Sequence, residues 1–221
     1  MDIAKFIDHS ILRPNHTLKE LEEEISKCLH GGVYAVCVNP FWVKKAKELS
    51  GAKMVVCSVV SFPFGLDHKE HKVLQSVKAI EDGAEELDIV MNLSALKSGM
   101  VSYVEEELRV LARETEGTVR KVIIETAYLT TEEKELALKL IEDSGMEFVK
   151  TSTGYAPTGA TEEDVRLLVS LSKGRVKVKA SGGIRSLEQV VNFINLGASR
   201  IGTSKTFDIL KEARLKSGGR S

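Results

Sequence analysis

The feature that most constrains this 221-residue chain is a repeated alternation of short apolar runs with amphipathic segments that end at or near a glycine. Runs such as YAVCVN and KVIIET are apolar on both faces, which is typical of parallel strands covered by helices. The segments between them repeat apolar residues at helical spacing, and glycine often follows a helix C-terminus. We count eight strand–helix units. Eight successive parallel units predict an α/β fold, a single-domain (β/α)8 TIM barrel.

An open doubly wound sheet is the alternative, if the short first or last strand is misassigned. The GxGxxG fingerprint of dinucleotide-binding sheets is absent from the strand–helix junctions, which favours the barrel. We predict one domain over residues 1–221, with a short N-terminal strand and a flexible tail over residues 214–221. In such barrels the active site lies at the C-terminal face, where the loops after the strands meet. Polar residues at strand C-termini therefore become candidates.

Composition narrows the possible partners. A net charge of -1 gives no excess of basic residues to favour nucleic acid or an anionic membrane. The run MVVCSVVSFPF is too short to span a bilayer, and the start MDIAKFIDHS lacks a signal pattern, so we predict a cytoplasmic protein. His68 and His71 in DHKEH are typical of a solvated helix face, and we predict no metal and no cofactor.

Lys150, in the stretch EFVKTSTGY, lies within a predicted buried strand. Burial disfavours an ammonium ion and lowers its pKa, so an interior lysine is often a nucleophile or a Schiff-base former. The structural alternative is that Lys150 lies at a strand end and extends its amine to water. The charged residues predicted near Lys150 distinguish between these interpretations.

Several other polar residues lie near predicted strand C-termini. Two ammonium groups in one pocket disfavour each other's charge, so Lys179 on the next strand could keep Lys150 partly neutral. Lys177 shares the strand face of Lys179 and is the competing choice. The full set of candidates is Asp8, Cys37, Asn39, Asp88, Asn92, Glu125, Lys150 and Lys179.

The loops after the last three strands are rich in small residues: STG, SGG and GTS. Barrels commonly bind phosphate with the loops after strands 7 and 8, because backbone N–H groups and a helix N-terminus point at the anion there. Short glycine loops also suit tight turns. We predict an anion site in which Arg185 is the only obvious charge, formed by Gly182, Gly183, Arg185, Gly202 and Ser204.

Together, IDHSIL, SFPFG, ELDIVMN, KVIIET, EFVKTSTG and VKASGGIR resemble the deoxyribose-phosphate aldolase family over essentially the whole chain and in the same order. The resemblance implies reversible cleavage of 2-deoxy-D-ribose 5-phosphate to D-glyceraldehyde 3-phosphate and acetaldehyde, through a lysine Schiff base and without metal. It implies Lys150 as the Schiff-base lysine, Asp88 in a proton relay and Lys179 as the lysine that perturbs the nucleophile. It also implies a homodimer or homotetramer. The remaining implied substrate-binding residues are Asp8, Cys37, Thr153, Gly154, Gly182, Gly183, Arg185, Gly202 and Ser204.

Two departures from the family pattern affect the site. Tyr155 replaces a cationic residue that some relatives carry after STG, and the chain ends KSGGRS where some relatives carry a tyrosine that assists proton transfer. Two other functions stay open at this point. One is a Schiff-base aldolase or transaldolase acting on another phosphosugar, and the other is a non-catalytic phosphosugar-binding barrel.

Overall fold

The computed structural model describes residues 1–218. Within this range the strands are β1 (Ile7–Ile11), β2 (Ala35–Val38), β3 (Val55–Val60), β4 (Glu86–Val90), β5 (Val119–Ile123), β6 (Phe148–Lys150), β7 (Lys177–Ser181) and β8 (Arg200–Thr203). They pair in parallel and in chain order, and β1 also pairs with β8, which closes the sheet into a barrel. The predicted (β/α)8 barrel is confirmed, and the open doubly wound sheet is wrong.

Helices cover the outside of the barrel: α1 (Leu18–His30), α2 (Val43–Ser50), α3 (Lys69–Glu81), α4 (Leu93–Lys97), α5 (Val101–Glu114), α6 (Thr131–Asp143), α7 (Glu162–Ser172), α8 (Leu187–Asn195) and α9 (Thr206–Gly218). Three short 3-10 helices precede or link them, at Ile3–Phe6, Pro40–Trp42 and Thr126–Tyr128. Thr17, Thr130 and Ser186 each begin a helix with a reciprocal capping box, which satisfies N–H groups that a helix start leaves unpaired.

The flexible tail predicted over residues 214–221 lies partly on the last helix and partly outside the described residues. Residues 214–218 belong to α9, and residues 219–221 lie outside the described residues. None of the helices within residues 1–218 combines the length and the apolar character that crossing a membrane requires.

The strands separate two kinds of side chain, because successive residues point to opposite faces of a sheet. On β4, Leu87 and Ile89 belong to the large hydrophobic core between the strands and the helices. Glu86 and Asp88 alternate with them and contact charged side chains of other strands instead. The barrel is therefore apolar on its outer face and ionic on part of its inner face, and that inner face positions the candidate site.

Candidate active site

Asp88 is the centre of the candidate site. Its Oδ2 lies 2.7 Å from Lys150 Nζ and 2.7 Å from Lys179 Nζ, although the three residues lie far apart in the sequence. All three side chains are buried. Lys150 and Lys179 are register partners on β6 and β7, which places both amines on the same side of the sheet. The structure thus brings together the three residues that the sequence predicts as catalytic.

Asp8 extends this cluster on the other side of Lys179. Its Oδ2 lies 2.5 Å from Lys179 Nζ, and its Oδ1 accepts a 2.7 Å hydrogen bond from Arg200. Arg200 also contacts Glu86, at 3.2 Å. Lys179 is therefore held between two carboxylates, those of Asp8 and Asp88.

Lys121 is one of the site residues that were not predicted from the sequence. It is completely buried on β5, and its Nζ lies 2.5 Å from Glu86 Oε2 and 3.1 Å from Asp88 Oδ1. The available signal was a pair of charged residues, Arg120 and Lys121, within the strand VRKVI, but neither lies at the C-terminus of that strand. We call the connected buried charges the inner ionic layer, which consists of Asp8, Glu86, Asp88, Lys121, Lys150, Lys179 and Arg200.

Opposite charges in the inner ionic layer outweigh the effect of burial. Burial alone would raise the pKa of Asp88, but the ammonium groups of Lys121, Lys150 and Lys179 hold that pKa well below its usual range. Burial alone would lower the pKa of Lys179, yet the carboxylates of Asp8 and Asp88 raise it. Asp88 is therefore a carboxylate and Lys179 an ammonium ion at neutral pH.

Lys150 differs in its surroundings from Lys121 and Lys179, the other two lysines of the inner ionic layer. A cavity of about 630 Å³ opens at the C-terminal face of the barrel, and Lys150 lines it while Lys121 and Lys179 do not. Asp88 is the only carboxylate in the described residues that forms an ion pair with Lys150. Among the lysines of the inner ionic layer, Lys150 is therefore the one whose amine a molecule in the cavity can reach.

The predicted phosphate loops form much of the same cavity. Its lining includes all seven residues predicted for this role, Thr153, Gly154, Gly182, Gly183, Arg185, Gly202 and Ser204. Gly182 has a φ of 86°, and a Cβ there would lie 3.0 Å from Gly159 Cα and 3.2 Å from Ser152 Cβ. No larger residue fits that position without displacing the loop after β6. The two loops are therefore closely packed around the space next to Lys150.

Arg185 is not the only charge at the cavity, contrary to the prediction. Arg13, from the loop after β1, and Lys205, from the loop after β8, also line it. Glu24 on α1 is the one carboxylate of the lining. The cavity thus has an excess of positive charge, although the chain as a whole has a net charge of -1.

Asp8 and Cys37, which the family resemblance implies as pocket residues, do not line the cavity. Both are fully buried in the barrel interior, where Cys37 Sγ lies 3.8 Å from Asp88 Oδ2. Lys177, the competitor of Lys179, lies at the exposed start of β7 with its Nζ 5.6 Å from the Phe148 ring centroid. Lys179 is therefore the β7 lysine that reaches Asp88.

The remaining polar candidates hold loops in place. Asn39 donates a 3.2 Å hydrogen bond to the Leu12 carbonyl, and Asn92, which lies beyond β4, caps α4 through Ala95 N–H. Glu125 has a left-handed backbone with a φ of 44°, and its side chain accepts hydrogen bonds from the N–H and hydroxyl of Thr153. Glu125 thus fixes the loop after β6 rather than pairing with a cation.

Tyr155 connects two loops at the cavity. Its hydroxyl donates a 3.2 Å hydrogen bond to the Leu12 carbonyl, and its ring packs edge-on against Phe62 with centroids 5.5 Å apart. The side chain remains 53% exposed. Where some relatives carry a cation, this chain therefore has an aromatic wall.

Metal-type ligands occur together at one place within residues 1–218, and it does not include His68 or His71. Cys37, Cys57 and Asp88 bring their ligand atoms within 4.8 Å of one another. The Asp88 oxygens already contact three ammonium groups, and burial raises the pKa of the Cys57 thiol. Both effects oppose the binding of a cation there.

Several known proteins are similar to this chain in sequence and in fold. The model of the DeoC/LacD family of aldolases matches residues 3–207. A deoxyribose-phosphate aldolase from Aquifex aeolicus is 50% identical over 212 residues, which cover 96% of each chain. A solved structure described as QR15, an aldolase, has a TM-score of 0.97 at 48% identity and covers 100% of both chains.

A second solved structure, described as the unique tetrameric structure of deoxyribose phosphate aldolase from Aeropyrum pernix, has a TM-score of 0.90 at 30% identity. The match covers 96% of this chain and 91% of that one. The family model, the relative and the two solved structures each match nearly the whole chain. The chain therefore belongs to the DeoC/LacD family of aldolases.

Proposed function

We propose that this protein is a class I aldolase that reversibly cleaves 2-deoxy-D-ribose 5-phosphate to D-glyceraldehyde 3-phosphate and acetaldehyde through a Schiff base on Lys150. The observation that carries this proposal is the position of Lys150, the one amine of the inner ionic layer that also lines the cavity. The name of the Aquifex aeolicus relative, a deoxyribose-phosphate aldolase, supports the choice of substrate.

The inner ionic layer has more cationic groups than carboxylates. The layer contains four cationic side chains and three carboxylates, so it carries one excess positive charge when every group is ionised. Lys179 is stabilised as an ammonium ion by two carboxylates, whereas Lys150 has one. Nucleophilic attack requires the neutral amine of Lys150, and removal of that proton leaves three cationic groups and three carboxylates in the layer.

The reaction follows from that amine. Lys150 Nζ attacks the C1 aldehyde of the open-chain sugar, and the carbinolamine loses water to form an iminium. The iminium accepts the electron pair of the C2–C3 bond as that bond breaks, and the C3 hydroxyl loses its proton to become the aldehyde of glyceraldehyde 3-phosphate. The enamine left on Lys150 takes a proton at C2, and hydrolysis then releases acetaldehyde and restores the lysine.

Asp88 is the proposed proton carrier for these steps, with Lys179 and a water molecule. Three positive charges lower the pKa of Asp88, and one of them belongs to Lys150. Once Lys150 has lost its proton for the attack, two remain, and the Asp88 carboxylate becomes a stronger base. Lys179 stays charged between Asp8 and Asp88.

The glycine loops anchor the other end of the substrate. We place the phosphate at the N–H groups of Gly182 and Gly183 and near Gly202 and Ser204, with Arg185 alongside. A fixed phosphate holds the sugar aldehyde near Lys150, which removes orientational freedom before the chemical step.

Reductive trapping tests the proposal. The enzyme is incubated with acetaldehyde and borohydride, and peptide mass spectrometry then locates the ethyl group left by the reduced imine. We expect the label on Lys150 and its loss in Lys150→Arg. A label on Lys179 or Lys121, or no label at any buried lysine, would contradict the assignment.

We also propose a homodimer or homotetramer located in the cytoplasm. The tetrameric relative from Aeropyrum pernix supports the assembly, as do the exposed apolar side chains of Phe41, Phe64 and Leu66. The three free cysteines suit a reducing compartment. Light scattering after size-exclusion chromatography gives the mass, and a monomer at micromolar concentration would contradict the assembly.

A further inference from the structure

Two arginines line the cavity without a counter-ion. Within residues 1–218, neither the Arg13 nor the Arg185 guanidinium forms an ion pair with a carboxylate, although Glu24 lines the same cavity as both. The Arg13 side chain contacts His16 Nε2 at 3.1 Å. An exposed guanidinium at the wall of an anion-binding cavity is available to bind a phosphate with two parallel hydrogen bonds.

A chain of hydrogen bonds leads from the protein interior to Arg13. Buried His9 contacts Thr206 Oγ1 at 2.8 Å through Nδ1 and Glu24 Oε2 at 2.7 Å through Nε2. The other oxygen of Glu24 lies 3.3 Å from His16 Nε2, and His16 Nδ1 lies 3.2 Å from the Arg13 carbonyl oxygen. The loop that carries Arg13 is thereby tied to α1 and to the start of α9.

Glu24 is unusual as a carboxylate at the wall of a phosphate-binding cavity. Burial alone would raise its pKa, but hydrogen bonds and charge interactions with His9 and His16 lower it. Glu24 therefore stays ionised at neutral pH, and its two carboxylate oxygens contact the two histidines. Its position indicates a role in holding the loop rather than in contacting an anion.

The barrel topology places the Arg13 loop next to the predicted phosphate loops. β1 pairs with β8, so the loop after β1 is the neighbour of the loop that contains Ser204 and Lys205. We infer that Arg13 is a further phosphate-binding residue of this enzyme, which approaches the substrate phosphate from the β1 side, and that His16 and Glu24 are positioning residues that hold it there. This inference rests on the proposed function.

Substrate discrimination tests the role of Arg13. For Arg13→Ala we expect the KM for 2-deoxyribose 5-phosphate to rise about tenfold, the equivalent of one charge-assisted contact, with kcat retained and the kinetics on unphosphorylated 2-deoxyribose unchanged. Arg13→Lys should recover part of the loss, because it restores the charge without the bidentate geometry. An equal effect on both substrates, or no effect on either, would overturn the inference.

Lys19→Ala is the matched control. Lys19 is an exposed cation on α1 that does not line the cavity, so its removal changes the net charge by the same amount in the same region. We expect its KM for the phosphorylated substrate to stay within about twofold of the wild-type value. A change as large as that of Arg13→Ala would show a general charge effect and would contradict a specific contact.

Glu24→Gln distinguishes a positioning role from simple repulsion. If Glu24 only repelled the phosphate, its neutralisation would lower the KM for the phosphorylated substrate. We expect the KM to rise, and the effect on KM to disappear when Arg13→Ala is already present, because both changes then act through the same guanidinium. A lower KM in Glu24→Gln would overturn the positioning role.

Trapping with acetaldehyde separates this inference from the proposed function. Acetaldehyde has no phosphate, so Arg13→Ala should label at Lys150 as fully as wild type does. Failure of Lys150 labelling in the wild type would contradict the proposed function. Normal labelling together with an unchanged KM in Arg13→Ala would contradict only the phosphate role of Arg13.

Discussion

Two groups of fully buried charges in this protein respond to burial in opposite ways. In the inner ionic layer, the neighbouring opposite charges lower the pKa values of Asp8 and Asp88 and raise those of Lys121 and Lys179, against the direction that burial favours. The second group is the helix pair, Lys72 on α3 and Glu107 on α5, whose Nζ and Oε1 lie 2.8 Å apart. Burial raises the pKa of Glu107 and lowers that of Lys72, despite their mutual attraction.

The difference follows from the number of opposite charges around each group. Asp88 contacts three ammonium groups, whereas Glu107 contacts one and its Oε2 has no hydrogen-bond partner in the described part of the chain. The single buried pair regains less than the desolvation free energy that both ions lose, while a connected network regains more than that. The inner ionic layer can therefore hold charges beside the cavity for chemistry, and the helix pair has only a structural role.

Removal of one lysine from each group gives the largest contrast. Lys150→Met should lower kcat on the order of 10⁴-fold, because it removes the nucleophile, while the melting temperature stays near wild type since the layer loses only its excess charge. Lys72→Met should keep kcat near wild type and lower the free energy of unfolding by about 3–5 kcal/mol, because Glu107 is left unpaired. Steady-state assays and urea unfolding measure both. A Lys72→Met enzyme with a comparably reduced kcat would break the distinction.

Asp88→Asn should affect activity and stability together. The amide cannot neutralise the surrounding ammonium groups or carry a proton, so we expect kcat to fall on the order of 10³-fold. The free energy of unfolding should fall by about 3–5 kcal/mol, because Lys121, Lys150 and Lys179 lose their shared carboxylate. Trapping with acetaldehyde should also slow. Full stability in Asp88→Asn would mean that the layer does not depend on its central carboxylate.

Replacement of the whole helix pair by apolar residues should be tolerated. For Lys72→Met combined with Glu107→Leu, we expect a free energy of unfolding within about 2 kcal/mol of wild type, because desolvation of both ions is avoided. The hydrogen bonds of Lys72 to the Val90 carbonyl and of Asn92 N–H to Glu107 would be lost, which limits any gain. A double variant as unstable as Lys72→Met alone would show that the pair itself is strongly stabilising.

The smallest expected effect is the pH dependence of stability. Asp8 and Asp88 have lowered pKa values in the folded protein, so the unfolded chain binds protons first and stability falls as the pH drops below about 5. Glu107 has a raised pKa, so the folded protein binds that proton first and its ionisation costs stability as the pH rises above about 4.3.

Melting temperatures between pH 4 and pH 7 check the two signs. At pH 7 the wild-type protein bears the cost of ionised Glu107, which Glu107→Gln avoids. As the pH falls, wild-type Glu107 also becomes neutral, so the melting temperature of Glu107→Gln relative to that of wild type should decrease. A difference that grows in favour of the variant toward low pH would contradict the raised pKa of Glu107.

The barrel and the group formed by Lys150, Asp88 and Lys179 could be predicted because both follow from periodicity. Alternation along a strand sets the face of each residue, and parallel strands bring their C-termini to the same end of the barrel. Lys121 and Arg200 were missed because neither residue ends its strand: Lys121 is the third of five residues in β5 and Arg200 is the first residue of β8. The pairing of Arg200 with Glu86 depends on the contact of β8 with β4 across the barrel interior, which no local pattern encodes.

The cavity wall formed by Arg13, His16 and Glu24 could not be predicted for a different reason. Arg13 and His16 lie in an irregular loop, where the direction of a side chain depends on backbone angles that periodicity does not describe. Tyr155 was identified as a departure from the family pattern, but its hydrogen bond to the Leu12 carbonyl depends on the relative position of two loops.

The most direct test of the account is a crystal structure of the enzyme reduced with borohydride in the presence of 2-deoxyribose 5-phosphate. We expect continuous density from Lys150 Nζ to C1 of the sugar. Asp88 should lie within hydrogen-bonding distance of the adduct, and the phosphate should contact Gly182 and Gly183. An adduct on Lys179 or Lys121, or a phosphate bound away from these loops, would contradict it.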